Sequence, residues 1–210
     1  MYRVRARMVT SGASRRATAT TWRVAAASGS ATITARVTSV FTNELSTDGV
    51  GLTSKATATL NLEPVIQLTD GTGSGQANKI VKAAGKTLTS TTTTIDMYDL
   101  GTLDVGAGAG RDNLGQTVAL AEIVMVLIYV HPTSTGTLIV GGEGSGAAWN
   151  SPFNGSDSAK IGPFPAKSIV MLGTSDASGF AVADSTNHLL QLEASGGTVN
   201  YDLVIIGRTA

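Results

Sequence analysis

The sequence predicts an all-β protein, and three observations carry that prediction. Gly, Thr and Ser make up about a third of the 210 residues, with 25 Gly, 29 Thr and 19 Ser, a composition that favours pleated strands and tight turns. Runs of alternating apolar and polar residues recur along the chain, bounded by Gly, Pro, Asn or Asp. The longest apolar run, Ile123–Val130, has 8 residues, far short of the ~20 that a membrane-spanning helix needs. A hydrophobic content of 42% disfavours disorder, and the glycines have no collagen-like period. No internal repeat marks a propeller or solenoid.

Each element follows from its local pattern. Ala31–Val40 places Ile33, Ala35 and Val37 on one face and Thr32, Thr34, Arg36 and Thr38 on the other, which reads as a half-exposed strand. Ala56–Leu62 alternates again until Pro64 removes a ladder donor. Val65–Leu68 and Lys79–Ala83 read as short strands around the Gly-rich turn Asp70–Gly75. Thr87–Asp96 is a Thr-rich strand, and Gly106–Asn113 is a flexible loop. Val118–Val130 is apolar on both faces. Its β-branched and aromatic residues, with His131-Pro132 after them, favour a buried central strand over a helix. Such a strand needs cover on both sides, one from a second sheet and one from a partner subunit.

Thr137–Val140, Ser168–Leu172, Ala181–Ala183, His188–Ala194 and Thr198–Ile206 complete the strands, with Gly196-Gly197 as a hairpin turn signal. Between them, Trp149, Phe153 and Phe164 share a stretch with Pro152, Pro163 and Pro165 that reads as an ordered loop anchored by aromatics. From about residue 60 the strands follow one another at roughly 8–18-residue spacing, the pattern of a sandwich or jelly roll. The predicted organisation is a basic, extended or flexible arm at 1–28, a strand-containing connecting segment at 29–60, and a jelly-roll-like β-sandwich body at 61–210.

The net charge is zero but unevenly distributed. Residues 1–43 hold seven Arg and no acid; the remainder holds 8 Lys and Arg against 15 Asp and Glu. Three readings of the first 28 residues stand side by side: an arm that docks on an acidic partner surface or on nucleic acid, a leader with no role of its own, and an organellar transit peptide. The docking reading rests on Arg3, Arg5, Arg7, Arg15, Arg16, Trp22 and Arg23. No apolar h-region follows the early arginines, which argues against a secretory signal. The body is acidic and poor in aromatics, so no specific nucleic-acid site is expected there.

Chemistry is sparse. The chain has no Cys, which removes disulfides, thiolate zinc, iron–sulfur ligation and thiol catalysis. His131 and His188 are the two histidines, and both read as structural residues at strand ends. No G-x-S-x-G elbow is present, and the Gly-rich segments DGTGSG and GGEGSG lack a P-loop lysine and a following helix. Asp96, Asp99, Asp104, Asp112 and Asn113 are oxygen donors of the kind that hold Ca²⁺, but their spacing fits no EF-hand loop and Asp and Asn also favour turns. Trp149 and Phe153, with Asn150 and Asn154 nearby, form either a plug over the end of the sandwich or a stacking platform for a sugar. No catalytic residue, metal or cofactor is assigned.

A longer pattern adds to these local readings. TNEL at Thr42–Leu45 is followed by LTDGTGSGQANKI at Leu68–Ile80, the Thr-rich segment Thr87–Asp96 and the pair Asp99-Leu100. Then come DNLGQTVALAEIVMVLIYV at Asp112–Val130, LIVGGEGSGAAWNSPF at Leu138–Phe153, PFPAKSIVMLGTSDASGFAV at Pro163–Val182 and VNYDLVIIGRTA at Val199–Ala210. This ordered series, from about Ser30 to Ala210, resembles a group of small structural proteins encoded by tailed bacteriophages. The resemblance implies a non-enzymatic virion component with a β-sandwich or jelly-roll body. It points to a capsid decoration or cement protein on the head surface, with the major capsid protein or other virion proteins as partners and a homo-oligomer, a trimer by preference. The alternative is a tail or fibre adhesin that binds a host surface glycan.

Overall fold

Alternation in the sequence becomes strands in the computed structural model, which describes residues 21–27, 30–45, 54–62 and 65–209, with side chains from 68 onward. Thirteen strands and one turn of 3-10 helix, Ser151–Phe153, lie among the described residues, and no α-helix. The chain divides into two compact units, 1–68 and 69–210.

The first unit contributes β1 (Thr21–Ala27), β2 (Ser30–Leu45) and β3 (Ser54–Leu62), and β4 (Val65–Thr69) ends at its boundary. Their sheet runs in the order β1-β2-β3, with β4 also paired to β2. Along the path β1-β2-β3, the 16-residue β2 divides its length: Ser30–Arg36 pairs antiparallel with β1, and Val37–Leu45 with β3. Arg3, Arg5, Arg7, Arg15 and Arg16 lie outside the described residues. Trp22 and Arg23 sit on β1, opposite Ala35 and Thr34.

The second unit is built from β5 (Lys79–Thr89), β6 (Thr92–Asp96), β7 (Glu122–Val130), β8 (Thr137–Gly142), β9 (Lys160–Phe164), β10 (Ile169–Gly173), β11 (Phe180–Ala181), β12 (Leu189–Ser195) and β13 (Thr198–Arg208). One antiparallel sheet has the order β10-β7-β13-β5, with β11 on the end of β7; the other has the order β6-β12-β8-β9. A single apolar cluster joins them. Val81, Val126, Ile128, Leu203 and Ile205 come from the first sheet, and Ile95, Leu138, Val140, Leu190 and Leu192 from the second. Two antiparallel sheets sharing one core form a sandwich-like β-body.

The outer faces of the two sheets differ. Thr92, Thr94, Gln191, Glu193 and Lys160 alternate with core residues on the second sheet, giving it a polar back. The outer face of the first sheet is apolar in part, beside the polar residues Lys82, Asn200 and Asp202. Met125 and Ile206 are register partners adjacent to the core residues Val126 and Ile205, so they point to the opposite face, and both are fully buried.

Several predicted boundaries move. Gly85, with φ 64°, does not end a strand; it sits inside β5, near the register shift between Tyr201 and Leu203 of β13, and the break comes at Ser90-Thr91 instead. Val118–Ala121 precedes β7 rather than joining it. Gly196-Gly197 is not a hairpin turn: β12 and β13 belong to different sheets, and this dipeptide carries the chain from one to the other. There the backbones of Gly136 and Gly197 meet face to face. A Cβ on Gly136 would lie 2.7 Å from the Gly197 carbonyl carbon, so neither position has room for a side chain. β9 falls within the stretch that its aromatics and Pro152, Pro163 and Pro165 predicted to be a loop.

Candidate functional site

The acid-rich connection between β6 and β7 is the most polar part of the body, and its geometry is that of built turns. Met97, Leu100, Leu103, Val118 and Leu120 bury their side chains in the core and pin the long segment down. Between these anchors each carboxylate accepts hydrogen bonds from nearby backbone amides. Asp96 Oδ1 accepts from Tyr98 at 2.8 Å, Asp99 Oδ1 from Gly101 at 2.6 Å, and Asp104 Oδ1 from Gly106 at 2.7 Å and Gly108 at 3.1 Å. The Gly106 and Gly108 amides hold the Asp104 carboxyl below its ordinary range.

Asp112 is the buried member of the set. Burial alone would push its carboxyl up. The amides of Gln116 and Leu114, each 2.9 Å from Oδ1, and the Lys79 ammonium 3.3 Å from Oδ2 outweigh burial and hold it below the usual carboxylate range. Asn113 reaches sideways: its Oδ1 accepts from Lys82 N at 2.7 Å and its Nδ2 donates to Lys82 O at 2.8 Å. The loop is thereby clamped along β5 and displays Leu114, which is 84% exposed. No group of three or more His, Asp or Glu side chains converges on a metal-sized site among the described residues. The oxygen atoms that the sequence offered to Ca²⁺ are directed at backbone amides.

The aromatic loop points inward. Trp149 is fully buried, packs edge-on against Phe153 at 6.5 Å and Phe180 at 6.1 Å, and donates from Nε1 to Ala181 O at 3.1 Å. Phe153 is 8% exposed. A sugar stacks on an open ring face, and neither ring has one here. The reading of Trp149 and Phe153 as a ligand platform is corrected by that burial.

The histidines each face one carboxylate. His131 Nε2 lies 3.1 Å from Asp202 Oδ1, though not aligned as a hydrogen bond, and His188 Nε2 lies 3.7 Å from Asp96 Oδ2. No serine hydroxyl bonds to either imidazole among the described residues, so no nucleophile–base pair is assembled there.

Arg208 is the residue that sequence reasoning missed. It is 1% exposed near the end of β13 and uses four of its five N–H donors: Nε donates to Gln76 O at 2.8 Å, one terminal nitrogen to Glu122 Oε2 and Ala177 O at 2.7 Å each, and the other to Asp176 O at 2.9 Å. One guanidinium thus ties three segments to the end of β7. Its signal in the sequence was faint, a lone charge closing the apolar run Leu203–Ile206.

No known protein family, curated protein or solved structure matches the chain.

Proposed function

We propose that this chain is a non-enzymatic structural protein of a tailed-bacteriophage virion, a decoration protein that binds the assembled head and stabilises it. The observation that carries the reading is the nested strand order of the body. β5 pairs with β13, β6 with β12, β7 with β10, and β8 with β9. Strands from the first half of the body pair in reverse order with strands from the second half, and the pairs divide between two sheets. That order supports reading the body as an eight-stranded jelly roll, an architecture shared by viral capsid domains, lectins and cupins. The ordered segments that resemble phage structural proteins favour the virion reading among these.

Charge supports the same reading. Residues 1–68 carry eight Lys and Arg against three acids, and residues 69–210 carry seven against twelve. The basic N-terminal segment, with Arg3, Arg5, Arg7, Arg15, Arg16 and Arg23, docks on acidic subunits of the head. A protein that binds only the assembled lattice stabilises it by mass action, and many copies make a weak contact cumulatively strong. A trimer suits threefold positions on a quasi-symmetric shell; that step is analogy to other jelly rolls. The adhesin alternative had rested on Trp149 and Phe153, which lack an open face.

The test is mass spectrometry on heads and tails separated from purified virions of the phage that encodes the chain. The decoration reading expects the chain in the head fraction at a copy number comparable to the capsid subunit. Recovery with tails alone would replace it with the fibre reading, and absence from both would end it.

A further inference from the structure

The four edges of the two body sheets are not treated alike. On β5, Asn113 occupies the backbone groups of Lys82, and Lys79, Lys82 and Lys86 line the strand. On β9, Pro163 lacks an N–H and Lys160 adds a charge. On β6, Thr102 Oγ1 occupies the Asp96 amide at 2.8 Å, leaving an opening no longer than Thr92–Thr94. These are the devices by which sheets avoid edge-to-edge pairing.

β10 has none of them. Its sequence is Ile-Val-Met-Leu-Gly, with no charge and no proline. The flanking bonds Thr174 N to Val124 O and Val130 N to Ser168 O fix the ladder, so that Val170 and Leu172 bond to β7. The N–H and C=O groups of Ile169, Met171 and Gly173 therefore point away from the sheet, and they have no partner among the described residues. Ile169 is exposed and Met171 is partly exposed beside them.

We infer that β10 is a self-association edge, and that its occupant is β10 of a second copy, antiparallel across a two-fold axis at Met171. Three observations select this occupant. The outward-pointing groups are self-complementary: Met171 faces its own copy, and Ile169 faces Gly173, whose missing side chain leaves room. Every such pair exchanges both backbone bonds. The charges at the two ends are opposite in sign. Lys167 precedes the strand and Asp176 follows it, both exposed and without an ion-pair partner among the described residues, and the antiparallel arrangement brings unlike ends together. The other body edges are blocked or very short, so β10 has no better match on a second body than itself. The contact is short, which makes it weak for isolated copies and effective where copies are held side by side. It stands independently of the virion reading.

The absence of Cys in the chain makes the test direct. Met171→Cys in the full chain places two thiols opposite each other at about 5.5 Å between Cα atoms, within disulfide reach. Mild oxidation is expected to give a covalent dimer on a non-reducing gel, with at least tenfold less from Thr94→Cys on the β6 edge. Adding Ile169→Lys to Met171→Cys should cut the yield at least tenfold while the melting temperature stays within a few degrees. Equal yields from Met171→Cys and Thr94→Cys, or no covalent dimer from a folded Met171→Cys chain, would overturn the inference. A dimer unaffected by Ile169→Lys would point to random collision and overturn it too.

Discussion

At the scale of single residues, the body is held in part by a few buried polar groups with several partners each. Arg208 is the clearest. Arg208→Met would leave the carbonyls of Gln76, Asp176 and Ala177 and the Glu122 carboxylate without their donor, and a loss of about 3–5 kcal/mol is expected in chemical denaturation. Arg208→Lys should recover little of it, because a point charge cannot serve three directions at once. Asp112 makes a pH-dependent contribution. Its folded carboxyl titrates below the ordinary value of about 3.9, so its stabilisation is complete above that pH and fades as pH falls toward the folded value. Asp112→Asn should cost about 1–3 kcal/mol at neutral pH. The gap to the unmodified chain should close in acid; a gap that widened in acid would show that burial dominates. Trp149→Ala should cost about 3–5 kcal/mol through the cavity left between Phe153 and Phe180. A small loss would mean that the loop collapses easily onto the end of the sandwich.

At the scale of elements, period-2 alternation was enough to find most strands, because each has one face in a shared core. Leu189–Ser195 and the first eight residues of β13, Thr198 to Ile205, alternate in burial, and both strands were legible in the sequence. What could not be read were features set by long-range pairing. β1 is an antiparallel partner of β2 with no strong alternation of its own, β9 survives with a proline because it is an edge strand, and Gly196-Gly197 looks like a hairpin turn until the sheet membership of its flanks is known. The acids of the β6–β7 connection were visible, but whether they faced an ion or backbone amides depended on loop geometry. Close packing makes the sheet-to-sheet crossing sensitive: Gly136→Ala should destabilise the body by about 1–3 kcal/mol, since the new methyl meets the Gly197 backbone. Deleting residues 1–28 removes β1 and the early arginines but none of the strands of the 69–210 unit. The expected result is a body with an unchanged melting transition in scanning calorimetry. Loss of a cooperative transition would show that this segment belongs to the body's core.

At the scale of the whole molecule, a neutral chain is divided into a basic N-terminal unit and an acidic body, and the body wraps its strands as nested pairs around one core. On the proposed reading, that division would give attachment to a phage head a salt dependence. Contacts made by arginines to an acidic surface weaken as the screening length falls from about 10 Å to about 3 Å between 0.1 and 1 M salt. Replacing Arg3, Arg5, Arg7, Arg15 and Arg16 with Ser should mimic high salt without changing the fold. The most direct measurement of the proposed reading is co-sedimentation of the purified full chain with genome-free heads of the phage proposed to encode it, prepared both before and after shell expansion. The account predicts saturable binding to the expanded shells, weak binding to the unexpanded ones, and loss of binding when the five arginines are replaced. A folded chain that stays in the supernatant with both kinds of shell would contradict it.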